Sequence, residues 1–311
     1  MKHFFLVVFL CVGCFVNLNG QSGLPINQND SKLKPLKQLS DRDLQSLLEY
    51  EINKNPEWQL LTSQKKMAVG IVDLSSPNDV RFASINGNHM MYAASLPKIA
   101  ILLAAMDAID KGELKETKDI KDDMRLMISK SNNAASTRMI DRVGYKKIEA
   151  VMTDPKYMFY DKKQGGGLWV GKRYGDGGDT NREPLKNLSH SATVNQVCRY
   201  YYLLANGKLV NKKRSTQMLS IMGNPELHHK FVNTIEQIAP EAKLFRKSGS
   251  WKNYHSDSIL VWGKDPNRRY ILVALVDDPN GEQIIRSLVV PVEKVINKAK
   301  TRQFSPRSLT K

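Results

Sequence analysis

Cysteine is scarce in this sequence. Only three are present among 311 residues, and two of them, Cys11 and Cys14, lie within the first fourteen positions. If that segment is removed, Cys198 is the one cysteine left, and an internal disulfide is excluded. Its apolar sequence neighbours predict a buried thiol with a structural role rather than a catalytic one.

Long apolar runs are also missing, except for one at the start. The run from Phe4 to Val16 follows a basic beginning and precedes the small residue Gly20. It is typical of a secretory signal peptide and too short for a comfortable membrane span. We expect cleavage after Gly20 and a secreted or periplasmic protein. The alternative is a lipoprotein lipidated at Cys14, although Cys11 stands where that signal has an aliphatic residue.

The sequence lacks metal-ligand spacing and a functional phosphate loop. His228-His229 has no second cluster of ligands beside it, so we predict no metal site. The segment 166–172 resembles a phosphate loop, but Arg173 replaces the serine or threonine that would bind magnesium. We therefore predict no cofactor, and expect this segment to form a loop near an active site, with Trp169 and Tyr174 as candidates to line it.

Acidic residues are outnumbered by basic ones. The 47 lysines and arginines against 31 aspartates and glutamates give a net charge of +16 and an isoelectric point near 9.6. The basic residues are scattered and form no compact motif, so nucleic acid is not a predicted partner. Association with an anionic cell envelope fits this charge better. We predict a monomer.

The length and the order of the elements predict one principal domain. We divide the chain into a signal peptide at 1–20, a linker at 21–39, a domain at 40–300 and a basic tail at 301–311. Strand-like runs occur near both ends of the domain, at Met67–Leu74, Val80–Ile85, Lys243–Ser250, Ser258–Trp262 and Tyr270–Val276.

The middle of the domain is mostly helical. We therefore predict an α+β fold with three α/β/α layers. Its antiparallel sheet is assembled from both ends of the chain, the N- and C-terminal helices flank it, and the central residues form a helical lobe. The junction between sheet and lobe is the expected place for a site.

The segment Tyr92–Gly112 predicts a buried helix with reactive groups at its start. Ser95 and Lys98 are three residues apart, which places them on one face of a helix. Pro97 is tolerated in a first turn because its missing N–H would have no partner there. A serine near the helix N-terminus, beside a desolvated amine, is a candidate activated nucleophile. The alternative is an N-cap serine beside a surface lysine.

Two further motifs fit this pair. Ser131-Asn132-Asn133 lies at a break between helices, where a hydroxyl could relay a proton and an asparagine could orient a substrate amide. The alternative is an ordinary N-cap. Lys247-Ser248-Gly249-Ser250 lies in a predicted strand, where a glycine admits a substrate backbone and a lysine attracts a carboxylate. The alternative is a strand end with a turn.

In the order S-x-x-K, S-x-N and K-S-G, these motifs resemble the signature of class A β-lactamases and penicillin-binding proteins. The resemblance covers most of residues 40–300. It implies that Ser95 is the acylated nucleophile, that Lys98 is or tunes its base, and that Ser131 protonates the departing nitrogen.

The same resemblance implies the substrate contacts. Asn133 would bind the amide of the substrate side chain, and Lys247 and Ser248 would bind its carboxylate. Gly249 would admit the substrate backbone. The N–H groups of Ser95 and Ser250 would form the oxyanion hole.

The sequence also departs from the class A pattern. Asn132 replaces the usual aspartate, and Ser131 follows Ser95 by fewer residues than expected. Glu183-Pro184, with Asn187 four residues after the glutamate, resembles the loop that carries the deacylation base, and its peptide bond is a candidate for the cis form. Glu183 is therefore the candidate base, and a solvent-exposed loop carboxylate is the alternative.

The leading hypothesis is a secreted serine hydrolase that hydrolyses β-lactams, and thereby confers antibiotic resistance, through an acyl-enzyme at Ser95. One alternative is a peptidoglycan D,D-carboxypeptidase or esterase that β-lactams acylate. The second is a non-catalytic protein that binds the cell wall. The implied partner is a small-molecule β-lactam or a peptidoglycan peptide.

Overall fold

The computed structural model describes residues 24–26 and 33–304, with side chains to Ala299. The predicted signal peptide lies outside the described residues. The helices are α1 (Arg42–Asn53), α2 (Pro56–Ser63), α3 (Lys98–Asp110), α4 (Lys118–Ser129), α5 (Asn133–Val143), α6 (Tyr145–Thr153), α7 (Val194–Ala205), α8 (Lys212–Met222), α9 (Phe231–Ile238), α10 (Gly281–Ser287) and α11 (Val289–Phe304). The strands are β1 (Met67–Asp73), β2 (Arg81–Ile85), β3 (Met91–Tyr92), β4 (Tyr160–Asp161), β5 (Gly166–Gly167), β6 (Trp169–Val170), β7 (His190–Ala192), β8 (Lys243–Trp251), β9 (Tyr254–Trp262) and β10 (Arg269–Asp277).

The main sheet combines the two ends of the domain, as predicted. Its strand order is β2-β1-β10-β9-β8, and every neighbouring pair is antiparallel. The register of β1 against β10 pairs Met67 with Val276 and Asp73 with Tyr270. Strand β8 forms one edge of this sheet. Short strands form a second sheet, β3-β7-β6, and a pair, β4-β5.

Both faces of the sheet are covered, which explains why β1 is buried at all seven positions. Alternate side chains point to opposite faces of a strand. Val69 and Ile71 therefore join the core that contains α1, α9 and α11, whereas Ala68 and Val72 join the core of the helical lobe. This is the predicted three-layer α/β/α arrangement, and the fold class is confirmed.

Helix α3 lies inside the lobe and is apolar on all sides, as a fully enclosed helix must be. The prediction of one helix from Tyr92 to Gly112 was too long at its start. Tyr92 belongs to β3, and Pro97 is the N-cap of α3. Ser95 therefore lies in the turn before the helix, because Tyr92 is drawn into pairing with Ser191 of β7.

The flanking segments differ from the predicted linker and tail. In the predicted linker, Leu24, Ile26 and Leu36 are buried in the lobe core, and the Ile26 N–H donates to the Ala205 carbonyl at 3.2 Å. Their apolar side chains gain more from burial than from exposure to water. In the predicted tail, residues 301–304 continue α11. The outer limits of the domain stay predictions.

Within the part of the chain that the structure describes, no helix is both long enough and apolar enough to cross a membrane.

Candidate active site

The turn before α3 presents Ser95 at the edge of the lobe. Ala94 has a left-handed backbone, with φ of 49°, and the Lys98 N–H donates to the Ser95 carbonyl at 3.3 Å. These features turn the chain from β3 into α3 within a few residues. Among the described residues, the Ser95 hydroxyl and N–H have no hydrogen-bond partner. Ser95 is partly exposed, so a substrate can reach it.

Lys98 is fully buried behind Ser95. Its Nζ donates to the Ser131 carbonyl at 2.6 Å and to Asn133 Oδ1 at 2.8 Å, and lies 3.4 Å from Ser131 Oγ. The ring of Tyr174 covers the same nitrogen, 4.3 Å from its centroid. Burial lowers the pKa of Lys98 to about 7, which makes the neutral, basic form available near pH 7.

Ser131 links two lysines. Its hydroxyl accepts from Lys247 Nζ at 2.8 Å and faces Lys98 on the other side. Ser131 has φ of 55°, between the end of α4 and the start of α5, and Asn132 caps α5 by accepting from the Ala135 N–H at 2.8 Å. The predicted break between helices is confirmed. The hydroxyl can therefore pass a proton between a substrate and the lysine amines that it contacts.

Lys247 is buried within β8, next to the free edge of the sheet. Its Nζ also donates to the Ser248 carbonyl at 2.6 Å. Burial lowers its pKa well below the usual value for lysine, and the positive charges of Lys98 and Arg246 act in the same direction. Asp257 acts in the opposite direction and raises the pKa of Lys247, although it is also paired with Arg246, at 2.8 Å from its Nε.

Gly249 brings β8 against the Ser95 turn. A Cβ at Gly249 would lie 2.5 Å from Ser95 N and from the Ala93 carbonyl oxygen, which is too close for any side chain. Ser256 Oγ, from β9, donates to the same carbonyl at 2.8 Å. The backbone of Ser95 and the strand that carries Ser250 therefore meet at Gly249, which is the arrangement that an oxyanion hole needs.

Lys230 is a residue that sequence reasoning missed. Its buried Nζ donates to the Gly249 carbonyl at 2.6 Å, to Ser250 Oγ at 2.8 Å and to the Ser256 carbonyl at 3.1 Å. Burial lowers its pKa to about 8. It precedes α9 with φ of 56°. No sequence signal distinguished it from the other lysines, because tertiary contacts alone bury it.

Tyr174, predicted as a candidate lining residue, does line the site. Besides covering Lys98, its hydroxyl donates to the Ala94 carbonyl at 3.2 Å. The structure places Trp169 elsewhere. It is buried, and its indole N–H donates to the Asn181 carbonyl at 2.6 Å, so Tyr174 is the one of the two candidates that lines the cavity.

Glu183 is buried rather than solvent-exposed. Its carboxylate accepts from the Tyr160 hydroxyl and, at 2.6 Å each, from the N–H groups of Leu185 and Lys186. The Glu183–Pro184 bond is trans, as are all the described peptide bonds, so the cis expectation was wrong. No described hydrogen bond joins Glu183 to Ser95 or Lys98. Its role as deacylation base stays a prediction.

A cavity of about 520 Å³ opens beside Asn133. It lies between the segment 172–176, strand β7 and the ends of β8 and β9. Aromatic and cationic side chains dominate its lining, which comprises Tyr92, Asn133, Lys172, Arg173, Tyr174, Gly175, Asp176, Arg182, Leu188, Ser189, His190, Trp251 and Tyr254. It is large enough for a substrate side chain.

Metal binding finds no support in the described residues, which contain no group of three or more histidine, cysteine or acidic side chains placed to hold an ion. His228 instead pairs with Glu236 at 2.9 Å. Cys198 is buried, and burial raises the pKa of its thiol, which disfavours a nucleophilic role.

The fold and the site fit a serine hydrolase. The sequence matches the β-lactamase enzyme family over residues 55–123 and 117–298. The chain therefore belongs to that family and is a serine hydrolase of the β-lactamase type. Among curated proteins, none matches the chain significantly.

Solved structures share the fold. A β-lactamase from Sphaerobacter thermophilus aligns with a TM-score of 0.60 at 15% identity, over 83% of this chain and 96% of that one. A class A β-lactamase from Bacteroides cellulosilyticus gives 0.60 at 16%, over 84% and 100%. A point mutant of PBP-A, solved as an acyl-enzyme complex with penicillin G, gives 0.60 at 19%, over 87% and 100%.

Proposed function

We propose that this protein is a secreted or periplasmic hydrolase whose Ser95 is acylated by β-lactams and then released by water. The observation that carries the proposal is the hydrogen-bonded series Lys98–Ser131–Lys247, which begins three residues after Ser95 in the chain. It offers a base, Lys98, whose neutral form burial makes available near pH 7, and a hydroxyl, Ser131, that can carry a proton.

In the acylation step, Ser95 Oγ attacks the lactam carbonyl carbon and transfers its proton to neutral Lys98. The carbonyl oxygen gains negative charge, which the N–H groups of Ser95 and Ser250 stabilise. The C–N bond then breaks, and the nitrogen takes a proton from the Ser131 hydroxyl, which regains one from Lys98, the group that received the proton of Ser95. The substrate carboxylate lies near Lys247 and Ser248. The products of this step are the acyl ester on Ser95 and a free ring amine.

Deacylation requires water and a base, and Glu183 is the proposed base. To act, its carboxylate must exchange the Tyr160 contact for one with water near the ester. A second candidate function is a peptidoglycan D,D-carboxypeptidase or esterase, in which the β-lactam adduct persists. The observation that favours it is the engagement of Glu183 by Tyr160 and two backbone N–H groups.

The test combines intact mass with turnover. Mature protein is mixed with benzylpenicillin or nitrocefin, and both hydrolysis and the mass of the protein are followed. Rapid turnover with little adduct supports the hydrolase, whereas one equivalent consumed and a stable adduct support the second candidate. Ser95→Ala is expected to abolish the adduct. No adduct and no turnover with a panel of β-lactams, esters and peptides would refute both.

A further inference from the structure

The cavity beside Asn133 is continuous with the proposed acylation site. Asn133 lines the cavity, and its Oδ1 also accepts a hydrogen bond from Lys98 Nζ at 2.8 Å. Tyr174 also belongs to both, since it covers Lys98 and lines the cavity. A substituent attached to the acyl group of a substrate bound at Ser95 would therefore enter this cavity.

Aromatic rings form much of the cavity wall. Tyr92 and Tyr254 meet edge to face with ring centroids 5.2 Å apart, and Tyr174 lies 4.2 Å from the ring of His190. Trp251 stands at the edge with 57% of its surface exposed. Such surfaces favour a planar, aromatic group, because rings stack or pack edge to face.

The charge of the wall is predominantly positive. Lys172, Arg173 and Arg182 line the cavity, and Asp176 is the opposing carboxylate. Arg173 is already paired with Asp141, at 2.6 Å. Lys172 and Arg182 make no ion pair within the described residues, although Arg182 donates to the Asn187 carbonyl at 3.1 Å.

His190 does not change this balance. Its Nε2 donates to the Lys172 carbonyl at 3.0 Å, and burial lowers its pKa to about 4, so the ring is neutral near pH 7. An anionic group in the cavity would meet more attraction than repulsion.

We infer that this cavity selects substrates whose acyl side chain carries an aromatic ring together with a negative charge. The inference rests on the proposed acylation of Ser95. It concerns the choice among substrates and leaves the chemistry of the acylation step as proposed above.

Three penicillins that share a phenyl side chain test the inference. Carbenicillin carries a carboxylate beside the ring, benzylpenicillin has no charge there, and ampicillin has an ammonium. We expect the second-order rate constant of acylation, followed by intact mass, to fall in that order. The first and last should differ by about tenfold at low salt, because each partly exposed charge contributes a few-fold. Added salt should narrow the difference.

The variants Lys172→Gln and Arg182→Gln should each reduce the carbenicillin-to-ampicillin ratio by about threefold. Lys163→Gln is the matched control, because Lys163 is exposed and does not line the cavity. The salt dependence of the unmodified protein tests the inference independently if a variant fails to fold.

The outcomes separate this inference from the proposed function. Equal rates or the reverse order would overturn the inference while acylation of Ser95 still stands. A preference for carbenicillin that neither cavity variant reduces would also overturn it, because the selectivity would then arise elsewhere. Neither adduct nor turnover with any of the three penicillins would refute the proposed acylation, and the inference with it; where turnover is too fast for an adduct to accumulate, kcat/KM takes the place of the acylation rate constant.

Discussion

Lys98 shows how one residue can set the pH range of an enzyme. Because burial lowers its pKa to about 7, the fraction of neutral lysine rises steeply up to that pH and levels off above it. Only the neutral amine accepts the proton of Ser95. We therefore expect the acylation rate constant to rise about tenfold per pH unit below pH 7 and to reach a plateau above it.

Stopped-flow or quenched mass measurements with benzylpenicillin, from about pH 5 to about pH 9, would give this profile. Lys98→Arg is expected to show no acylation at any of these values, since guanidinium stays protonated. Tyr174→Phe keeps the covering ring and should keep the midpoint. Tyr174→Ala admits water to the ammonium and should move the midpoint upward. A flat profile in the unmodified protein would exclude Lys98 as the titrating base.

Glu183 has a structural role and a proposed chemical one, and two substitutions distinguish them. Glu183→Gln removes the base and should slow deacylation by about 10²- to 10⁴-fold, so that the adduct on Ser95 accumulates. Tyr160→Phe removes one hydrogen bond to the carboxylate and frees it, which should shorten the lifetime of the adduct. The measurement is the decay of adduct mass after excess benzylpenicillin is removed.

The Glu183→Gln and Tyr160→Phe variants should also lose stability, by about 1–3 kcal/mol, because buried hydrogen-bonding groups are left unpaired. Thermal unfolding of the free protein checks this. If both variants unfold earlier but their adducts decay at the unmodified rate, Glu183 has only a structural role. A persistent β-lactam adduct, as expected for a D,D-carboxypeptidase or esterase, would then follow from the lack of a deacylation base.

At the scale of elements, the contact between β8 and the turn before α3 is the closest in the site. Gly249→Ala would place a methyl group 2.5 Å from two backbone atoms, Ser95 N and the Ala93 oxygen, and neither can move independently. The strand must shift by several tenths of an ångström. We expect acylation to slow by about 10²-fold, since small displacements of reacting groups carry costs of this size.

Gly223→Ala is a suitable control for Gly249→Ala. Gly223 forms an isolated bridge to Phe245 of the same strand, and its Cβ would lie 3.2 Å from the nearest atom, the Leu219 carbonyl. That variant should acylate at close to the unmodified rate. Normal acylation by Gly249→Ala would mean that β8 does not position the oxyanion hole.

Helices and strands with a clear pattern of apolar residues were predictable from the sequence. Short elements that form only by pairing with another part of the chain were not. The sheet strands near both chain ends lie where their apolar runs indicated. Strands β3, β6 and β7 are two or three residues long and exist only as mutual pairings. Helix α2 was missed because its eight residues carry a weak apolar stripe.

The same distinction applies to the site. Motif spacing predicted Lys98, Ser131 and Lys247 as members of one site, and the structure joins these three by hydrogen bonds, while their catalytic roles and that of Ser95 stay predictions. The position of Tyr174 over Lys98 follows from the course of an irregular loop, which no periodicity encodes. The hydrogen bond from the Tyr160 hydroxyl to Glu183 likewise depends on how the fold brings together two residues that are 23 positions apart in the sequence.

Over the whole molecule, the distribution of charge complements the proposed substrates. Lys98, Lys230 and Lys247 are buried close to the nucleophile, and Asp257 beneath them is occupied by Arg246. The chain as a whole carries +16. The net positive charge of the chain is thus expected to attract an anionic β-lactam or cell-wall peptide at a distance.

The first described residues belong to the folded molecule, and a truncation tests this. Leu24 and Ile26 pack in the lobe core, and Ile26 is hydrogen-bonded to Ala205 at the end of α7. Cleavage after Gly20 keeps both residues. A protein that begins at Gln21 should be more stable to unfolding than one that begins at Leu33, by about 3 kcal/mol, given about 1.5–3 kcal/mol for each buried side chain. Urea unfolding of the two proteins would measure this. Equal stability would mean that the segment is a linker, as the sequence first indicated, and that the domain does not need it.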